Sequence, residues 1–324
     1  MGGRAASLAA SEIQRSGEKV SDTRLDLVIV AFNSKAALLR SMPAARQIAG
    51  VGRIVVVDNG TDGSGVYAAG LGAEVVHLDN PGFGSAQNAG VALCSAPYVL
   101  LLNPDAEPVV SGISAGLSYL DGEPDVGATQ GVIVNRATDR PERSQGAELG
   151  PVHLVGRALA LRHLLGLTVV RRAATHTRLL RDHAQRIPAE PTDVESLAAT
   201  AVLVRTSAFR EVGGFDERFF LYGEDLDLSR RMRLAGWRLV ALPDRWAMHT
   251  SGESSANWFD RELRWWEGTM QFAALWWGSA SWGLGATAAF VQFLRLGLRA
   301  PSRIGEAWNA VVAGPKRHRR KRSG

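Results

Sequence analysis

Cysteine is all but missing from this chain. Cys94 stands alone among 324 residues, which rules out a disulfide within the chain and suits a reducing compartment. The pattern around Cys94 reads as helix, so neither a metal nor a redox role is expected of it. An apolar signal core is missing too: residues 1–24 are rich in Ala, Ser, Gly and charge and read as a flexible N-terminal extension without a secretory signal. Charge is missing from residues 268–294, a stretch that holds Trp276, Trp277 and Trp282. Its length would span a bilayer, but Gly278, Ser279, Ser281, Gly283 and Gly285 interrupt it. Two shorter helices, interfacial or packed, therefore stand beside a single span as alternatives. There is no internal repeat.

What is present is apolar content of 46%, enough for a sizeable core: one large α/β domain plus an appendage. The formal net charge is +5, and much of the basic excess sits in the run Lys316-Arg317-His318-Arg319-Arg320-Lys321-Arg322. The basicity thus belongs to a tail, 315–324, more than to a fold. That tail has no interleaved aromatics and the candidate pocket below is lined with acids, which together argue against a nucleic-acid partner.

Residues 25–30, 54–57, 75–78 and 98–102 are short runs of apolar residues, broken only by Asp26 and His77, the pattern of strands buried on both faces of a parallel sheet. Helical stretches at 36–48 and 86–93 separate them, so strand and helix alternate and a doubly wound sheet is predicted. Such sheets bind ligands at the carboxyl ends of their strands, which here are Asn33, Asp58-Asn59, Asn80 and Asn103-Pro104-Asp105. From 136 to 191 the chain loses strand periodicity and reads as an inserted segment rich in arginine. Order resumes at 201–204, and a helix is predicted over 225–235 with acids in its first turn, arginines in its last and Gly236 as its stop.

Asp58-Asn59 is followed by a turn-rich loop, Gly60 to Gly65. A carboxylate there suits the imide N–H of uracil or thymine, and the same residues are also good turn chemistry. The stretch Asn80-Pro81-Gly82-Phe83-Gly84-Ser85-Ala86-Gln87-Asn88 opens a helix whose N-terminal amides suit a phosphate or ribose; close helix packing is the other reason for its glycines. It lacks the Gly-x-Gly-x-x-Gly spacing and the later acid of a dinucleotide site, which disfavours a nicotinamide enzyme. Asp105 ends a buried strand, where a single carboxylate can anchor Mg²⁺ or Mn²⁺ or cap the next helix. Glu224, Asp225 and Asp227 cluster at a helix start after Phe219, Phe220 and Tyr222. Repulsion and partial burial there would raise at least one pKa, as a general base requires. His249 suits a metal or a diphosphate, or a structural place.

These pieces, in this order, resemble the family 2 glycosyltransferases of bacteria, particularly the rhamnosyltransferase-like branch. They are Val-Ala-Phe-Asn at 30–33, Val-Asp-Asn-Gly at 57–60, the glycine-rich stretch at 80–90, Leu-Leu-Asn-Pro-Asp at 101–105 and the block from Gly213 to Leu228. The resemblance implies a GT-A fold, Rossmann-like with a mostly parallel central sheet flanked by helices, over 25–258. It places the donor near Asn33, Asp58, Asn59, Gly82, Gly84, Asn88 and Asn103, and the acceptor near Tyr222, Glu224 and Asp227. Asp225 matches the family's catalytic base. Asp105 matches the last carboxylate of its Asp-x-Asp metal motif, with Asn103 in the first position, and His249 matches a residue that completes the site around Mg²⁺ or Mn²⁺ in some members. An inverting transfer follows, from a dTDP-rhamnose or UDP-hexose donor to a lipid-linked or cell-wall glycan. A rival reading is a nucleotide-sugar-binding assembly protein that has lost catalysis.

Two features depart from the family. Ser196-Leu197-Ala198-Ala199 stands where members often carry an aromatic and a Ser-Gly pair, and the segment 136–191 has no counterpart. Residues 259–314 are expected to form a helical, Trp-rich C-terminal extension that touches the cytoplasmic face of a membrane, where indoles and the arginines after them would sit.

Overall fold

The computed structural model describes residues 23–151, 153–154, 187–250, 258–306 and 308. Residues 1–22 of the expected extension at 1–24, the middle of the inserted segment, 251–257 and the basic tail lie outside the described residues.

Strands β1 (Leu25–Ala31), β2 (Val51–Asp58), β3 (Glu74–His77) and β4 (Tyr98–Leu102) pair in parallel in the order β3-β2-β1-β4. Between them run helices α1 (Lys35–Ala45), α2 (Ser64–Gly70) and α3 (Phe83–Ala92). After β4 come β5 (Ala106–Pro108), α4 (Val110–Gly122) and β6 (Val126–Asn135), then the short β7 (Arg140–Pro141), β8 (Gln145–Gly146), β9 (Thr192–Asp193) and β10 (Ser196–Leu197). Then come β11 (Ala201–Arg205), α5 (Thr206–Glu211), α6 (Glu224–Leu234), β12 (Arg238–His249), α7 (Trp258–Trp276) and α8 (Ser279–Arg299), followed by a short 3-10 turn at Pro301–Arg303.

The main sheet continues β4-β11-β6-β12-β5. β11 runs antiparallel to both its neighbours and β5 antiparallel to β12, so the sheet is mixed, with most of its strands in one direction. Side chains alternate between its two faces, as the pleat requires. Leu25, Leu27 and Ile29 join Leu38, Met42, Ile113 and Leu117 in one layer, while Val28 and Val30 join Ala86, Val91, Phe209 and Met232 in the other. Burial on both faces is why β4 reads as an unbroken apolar run and β1 as one broken only by Asp26, whose buried carboxylate accepts the Arg53, Ser95 and Ala96 N–H groups.

Segment 110–135 was not legible as helix and strand because β6 breaks its apolar run with Gly127, Thr129, Gln130 and Gly131. Its polar side chains are nonetheless buried and satisfied: Thr129 Oγ1 donates to Val240 O at 2.9 Å, and Gln130 Nε2 donates to Ala198 O and Ala201 O. Gly131 admits Trp246, whose ring would lie 2.7 Å from a Cβ there. Cys94 lies just past the end of α3 rather than inside a helix, and burial pushes its thiol up to about 12, which leaves it inert.

The charge-free stretch is two helices and not one span. α7 and α8 are broken at Trp277 and Gly278 and pack on each other through Phe259, Leu263, Trp266 and Met270 against Ala288, Ala289, Phe293 and Leu296. Among the described residues no helix is long and apolar enough to cross a membrane. α7 also closes on the main domain. Trp276 Nε1 donates to Asp227 Oδ1 at 2.9 Å, and Gly268 meets the backbone of Tyr222.

Candidate active site

A cleft of about 490 Å³ opens at the carboxyl ends of β1 and β4, and the loop before α6 together with α7 forms its other wall. Of the residues singled out from the sequence, Asn59, Asn103, Asp105, Tyr222, Glu224 and Asp225 line it, as do Asn80, Phe83, Pro104 and Phe220 of the same motifs. Tyr222 (φ 67°) and Gly223 (φ 87°) are both left-handed, which turns the chain sharply into α6. A non-glycine residue held at positive φ is strained, and Tyr222 keeps that shape because α7 backs it.

Asp225 lines the cleft, and its Oδ1 accepts the Leu226 N–H at 2.8 Å. Burial raises its pKa above the usual carboxylate range, and the backbone hydrogen bonds from Leu226 and Ala199 only partly oppose that. Glu224 is buried, and its Oε2 has no hydrogen-bond partner among the described residues. Burial first, then the neighbouring Asp225 charge, push Glu224 up to about 8.

Asp105 and His249 meet because the end of β12 pairs with β5, His249 opposite Ala106. His249 Nε2 lies 3.2 Å from Asp105 Oδ1, and its Nδ1 lies 2.7 Å from Glu142 Oε2. Burial opposes the imidazolium, but the hydrogen bonds to Asp105 and Glu142 outweigh it and raise His249 to about 9. Glu142 is fixed in turn by Asn135 Nδ2, which donates to its Oε1 at 2.7 Å.

The remaining sequence candidates shape the cleft from behind. Asn33 (φ 50°) accepts the Thr61 N–H, and Asp58 accepts the Gly60 and Gly65 N–H groups with its two oxygens. Neither side chain lines the cleft. A Cβ on Gly82 would lie 2.7 Å from Phe220 O and one on Gly84 2.9 Å from Phe215 Cβ, so these glycines let α3 approach the loop that carries the acids. Asn88 bonds the Phe215 backbone in both directions, donating to its carbonyl at 2.9 Å and accepting its N–H at 2.8 Å. Asp227 is buried against Arg231 and Trp276, away from the cleft. Sequence reasoning missed Glu142, Phe32, Thr200 and the α7 side chains Arg261 and Arg264, all of which line the cleft or touch its residues.

The model of the family described as glycosyltransferase like family 2 matches residues 23–268. The chain belongs to that family. A stretch of 73 residues is 41% identical to an N-acetylglucosaminyl-diphospho-decaprenol L-rhamnosyltransferase of Mycobacterium tuberculosis, covering 22% of this chain and 24% of that protein. The match to that curated relative therefore spans about a quarter of its length. An uncharacterised glycosyltransferase of Mycobacterium tuberculosis is 31% identical over 225 residues, 69% of this chain and 84% of the relative. In fold, this family 2 glycosyltransferase is similar to a mannosyltransferase of Pyrobaculum calidifontis solved in complex with GDP-Man and Mn²⁺. The TM-score is 0.52 at 14% identity, over 95% of this chain and 83% of that one.

A stability test follows from Glu224 of this family 2 glycosyltransferase. Its folded pKa is raised, so the native state binds a proton that the unfolded chain releases above about 4.5. Stability falls as pH rises from there to about 8. Glu224→Gln removes that titration, so its melting temperature relative to the parent is expected to be several degrees more favourable at pH 8.5 than at pH 5, at roughly 2–4 °C per kcal/mol. An offset equal at both pH values would show that Glu224 is ionised in the fold throughout.

Proposed function

We propose that the chain moves a sugar from a nucleotide-sugar donor to a hydroxyl of a glycan or lipid-linked glycan, with inversion at the anomeric carbon. The observation that carries this reading is Asp225, half-buried at the start of α6 with its pKa raised, facing the same cleft as Asp105. Asp225 takes the acceptor proton as the hydroxyl attacks, and the nucleoside diphosphate leaves from the opposite side of the sugar. The acceptor-side wall is built by Tyr222 and the α7 residues, and the donor side by the strand-end residues Asn59 and Asn103.

The donor set fits a divalent cation. Among the described residues Asn103 Oδ1 and Thr250 Oγ1 are buried without a partner near Asp105, and oxygen donors with one imidazole, which would lose its Nε2 proton on binding the ion, suit Mg²⁺ or Mn²⁺. Among the described residues, no three His, Cys, Asp or Glu side chains are already gathered around one point as a metal group. Asp105, Asn103 and His249 are the residues that would hold the ion, with Glu142 orienting the imidazole as carboxylates do for metal-bound histidines. When bound, it would offset the charge that collects on the departing diphosphate. Donor affinity, measured by calorimetry, is expected to fall under EDTA. Asp105→Ala should weaken it strongly, and His249→Ala and Glu142→Gln more modestly, by about tenfold. Affinity unchanged by chelation would leave the diphosphate to protein donors alone.

A dTDP-rhamnose donor is favoured by the rhamnosyltransferase similarity and a UDP-hexose is the alternative; a screen for released nucleoside diphosphate decides between them. A catalytically inactive assembly role is disfavoured by the retained acids, and the same screen would expose it.

Contact with an anionic bilayer surface is part of this reading. Phe290, Leu294 and Leu298 follow i, i+4, i+8 along α8 and are exposed, Leu298 to 82%. α8 has no acidic residue, Arg299 is exposed beside the stripe, and the Lys316 to Arg322 run follows. Each basic residue would gain about 1 kcal/mol near anionic headgroups, and the stripe adds a salt-insensitive apolar part. The intact protein is expected to sediment with anionic vesicles and to be partly released by salt, while Leu298→Glu abolishes the salt-resistant fraction. Failure to sediment at low salt would end the membrane reading and leave the stripe to a protein partner.

A further inference from the structure

We propose that Arg261 and Arg264 of α7 form a binding site for a phosphate or diphosphate carried by the acceptor. Both side chains line the catalytic cleft, one helical turn apart on α7, and both are exposed. Among the described residues no carboxylate pairs with either guanidinium: Asp260, which also lines the cleft, pairs with Arg303. Arg264 instead lies over the Phe220 ring, 5.1 Å from its centroid, which fixes the guanidinium at the cleft wall without neutralising it.

The cleft's other charge-bearing side chains are carboxyl groups, Asp105, Glu224, Asp225 and Asp260, of which Asp105 is bonded to His249 and Glu224 keeps its proton up to about pH 8. Two unpaired guanidiniums there lower the cost of admitting an anion, and their planar donor forks match phosphate oxygens. Arg264 also lines a second hollow of about 380 Å³ that holds Leu221, Leu263 and Gln271 together with Arg218 and the carboxylates Asp260, Glu267 and Glu306, so Arg264 and Arg218 are its only cationic places among the described residues. A ligand whose phosphate sits at Arg264 therefore has room to run out of the cleft along α7, away from Asn59 and Asn103, where the donor is placed. This rests on the glycosyltransferase reading above and narrows its acceptor to a phosphorylated one. The donor brings a diphosphate too, so the test must separate the two sources.

The full chain, saturated with UDP or dTDP in excess Mg²⁺, is titrated with inorganic pyrophosphate by calorimetry, and the nucleoside diphosphate is titrated separately. Pyrophosphate is expected to bind the nucleotide-loaded protein, and Arg261→Gln with Arg264→Gln together should weaken that by at least about tenfold, as the loss of charge-assisted bonds predicts. Nucleotide affinity should stay within about twofold of the parent. Loss of nucleotide affinity in the double variant would assign the arginines to the donor and overturn the proposal, as would pyrophosphate binding that is absent or indifferent to the substitutions. If neither nucleotide binds the parent protein, the donor reading itself fails, and pyrophosphate binding by the free chain still reports on the arginines. Arg261→Gln alone serves if removing Arg264 from Phe220 disturbs the loop, with thermal melting as the check.

Discussion

Asp225→Asn is expected to lower turnover by a factor on the order of 10² to 10⁴ while leaving donor affinity within about threefold of the parent. The amide has the size of the carboxylate and its oxygen can still accept the Leu226 N–H, so the start of α6 keeps its shape. What is lost is the group able to take a proton. Removing the negative charge also relieves Glu224, which feels Asp225 as a neighbour, so the variant should be no less stable than the parent. In the parent, the raised pKa of Asp225 means that kcat/KM should fall on acidification at a pH above the ordinary carboxylate value of about 4. Initial rates across pH and donor titrations check both parts. Near-parental turnover in Asp225→Asn would move the base to Glu224, since Asp227 is already committed to Arg231 and Trp276.

The half of the sheet that was legible in the sequence is the half whose strands are buried on both faces mostly by apolar residues, the buried Asp26 of β1 being held by the Arg53, Ser95 and Ala96 N–H groups. β1, β2 and β4 carry their burial in their composition, and their polar ends mark the cleft. β6 is buried just as deeply, but it hides Thr129 and Gln130 by giving them backbone acceptors, which no periodicity reveals. The reversed direction of β11 was equally hidden, because an apolar run has no polarity. In the site, Asp105 and Asp225 were readable from their places at a strand end and a helix start. Asn88 and Asp227 belong to the same motifs, yet they hold backbone and neighbouring side chains rather than face the cleft; a motif keeps its scaffold residues alongside its chemical ones. Glu142 lay in a segment with no pattern of its own and comes to His249 only through the pairing of β7 with β6. Arg261 and Arg264 drew no notice in the sequence, which does not say that α7 returns over the cleft.

That return makes Gly268→Val the second large effect. A Cβ at Gly268 would sit 1.9 Å from the Tyr222 carbonyl oxygen, and one at Gly223 would sit 2.6 Å from the Gly268 carbonyl oxygen, so α7 and the loop before Asp225 are in direct backbone contact. Neither obstacle is the far end of a side chain that could swing aside. Valine must therefore lift α7 off the loop or drag Tyr222, Gly223 and Asp225 out of place. Overpacking of this kind costs about 1–3 kcal/mol, which should appear as a lower melting temperature. Displacing a general base by about 1 Å costs on the order of 10²-fold in rate, so turnover should fall further than stability alone explains. Gly278→Ala is the control on the same helical pair: its φ is −67° and a Cβ there meets nothing within 4 Å, so it should be silent. Parental melting and turnover in Gly268→Val would mean that α7 stands away from the loop in solution. The cleft would then have lost the wall that carries Arg261 and Arg264, and the acceptor phosphate site would fall with it.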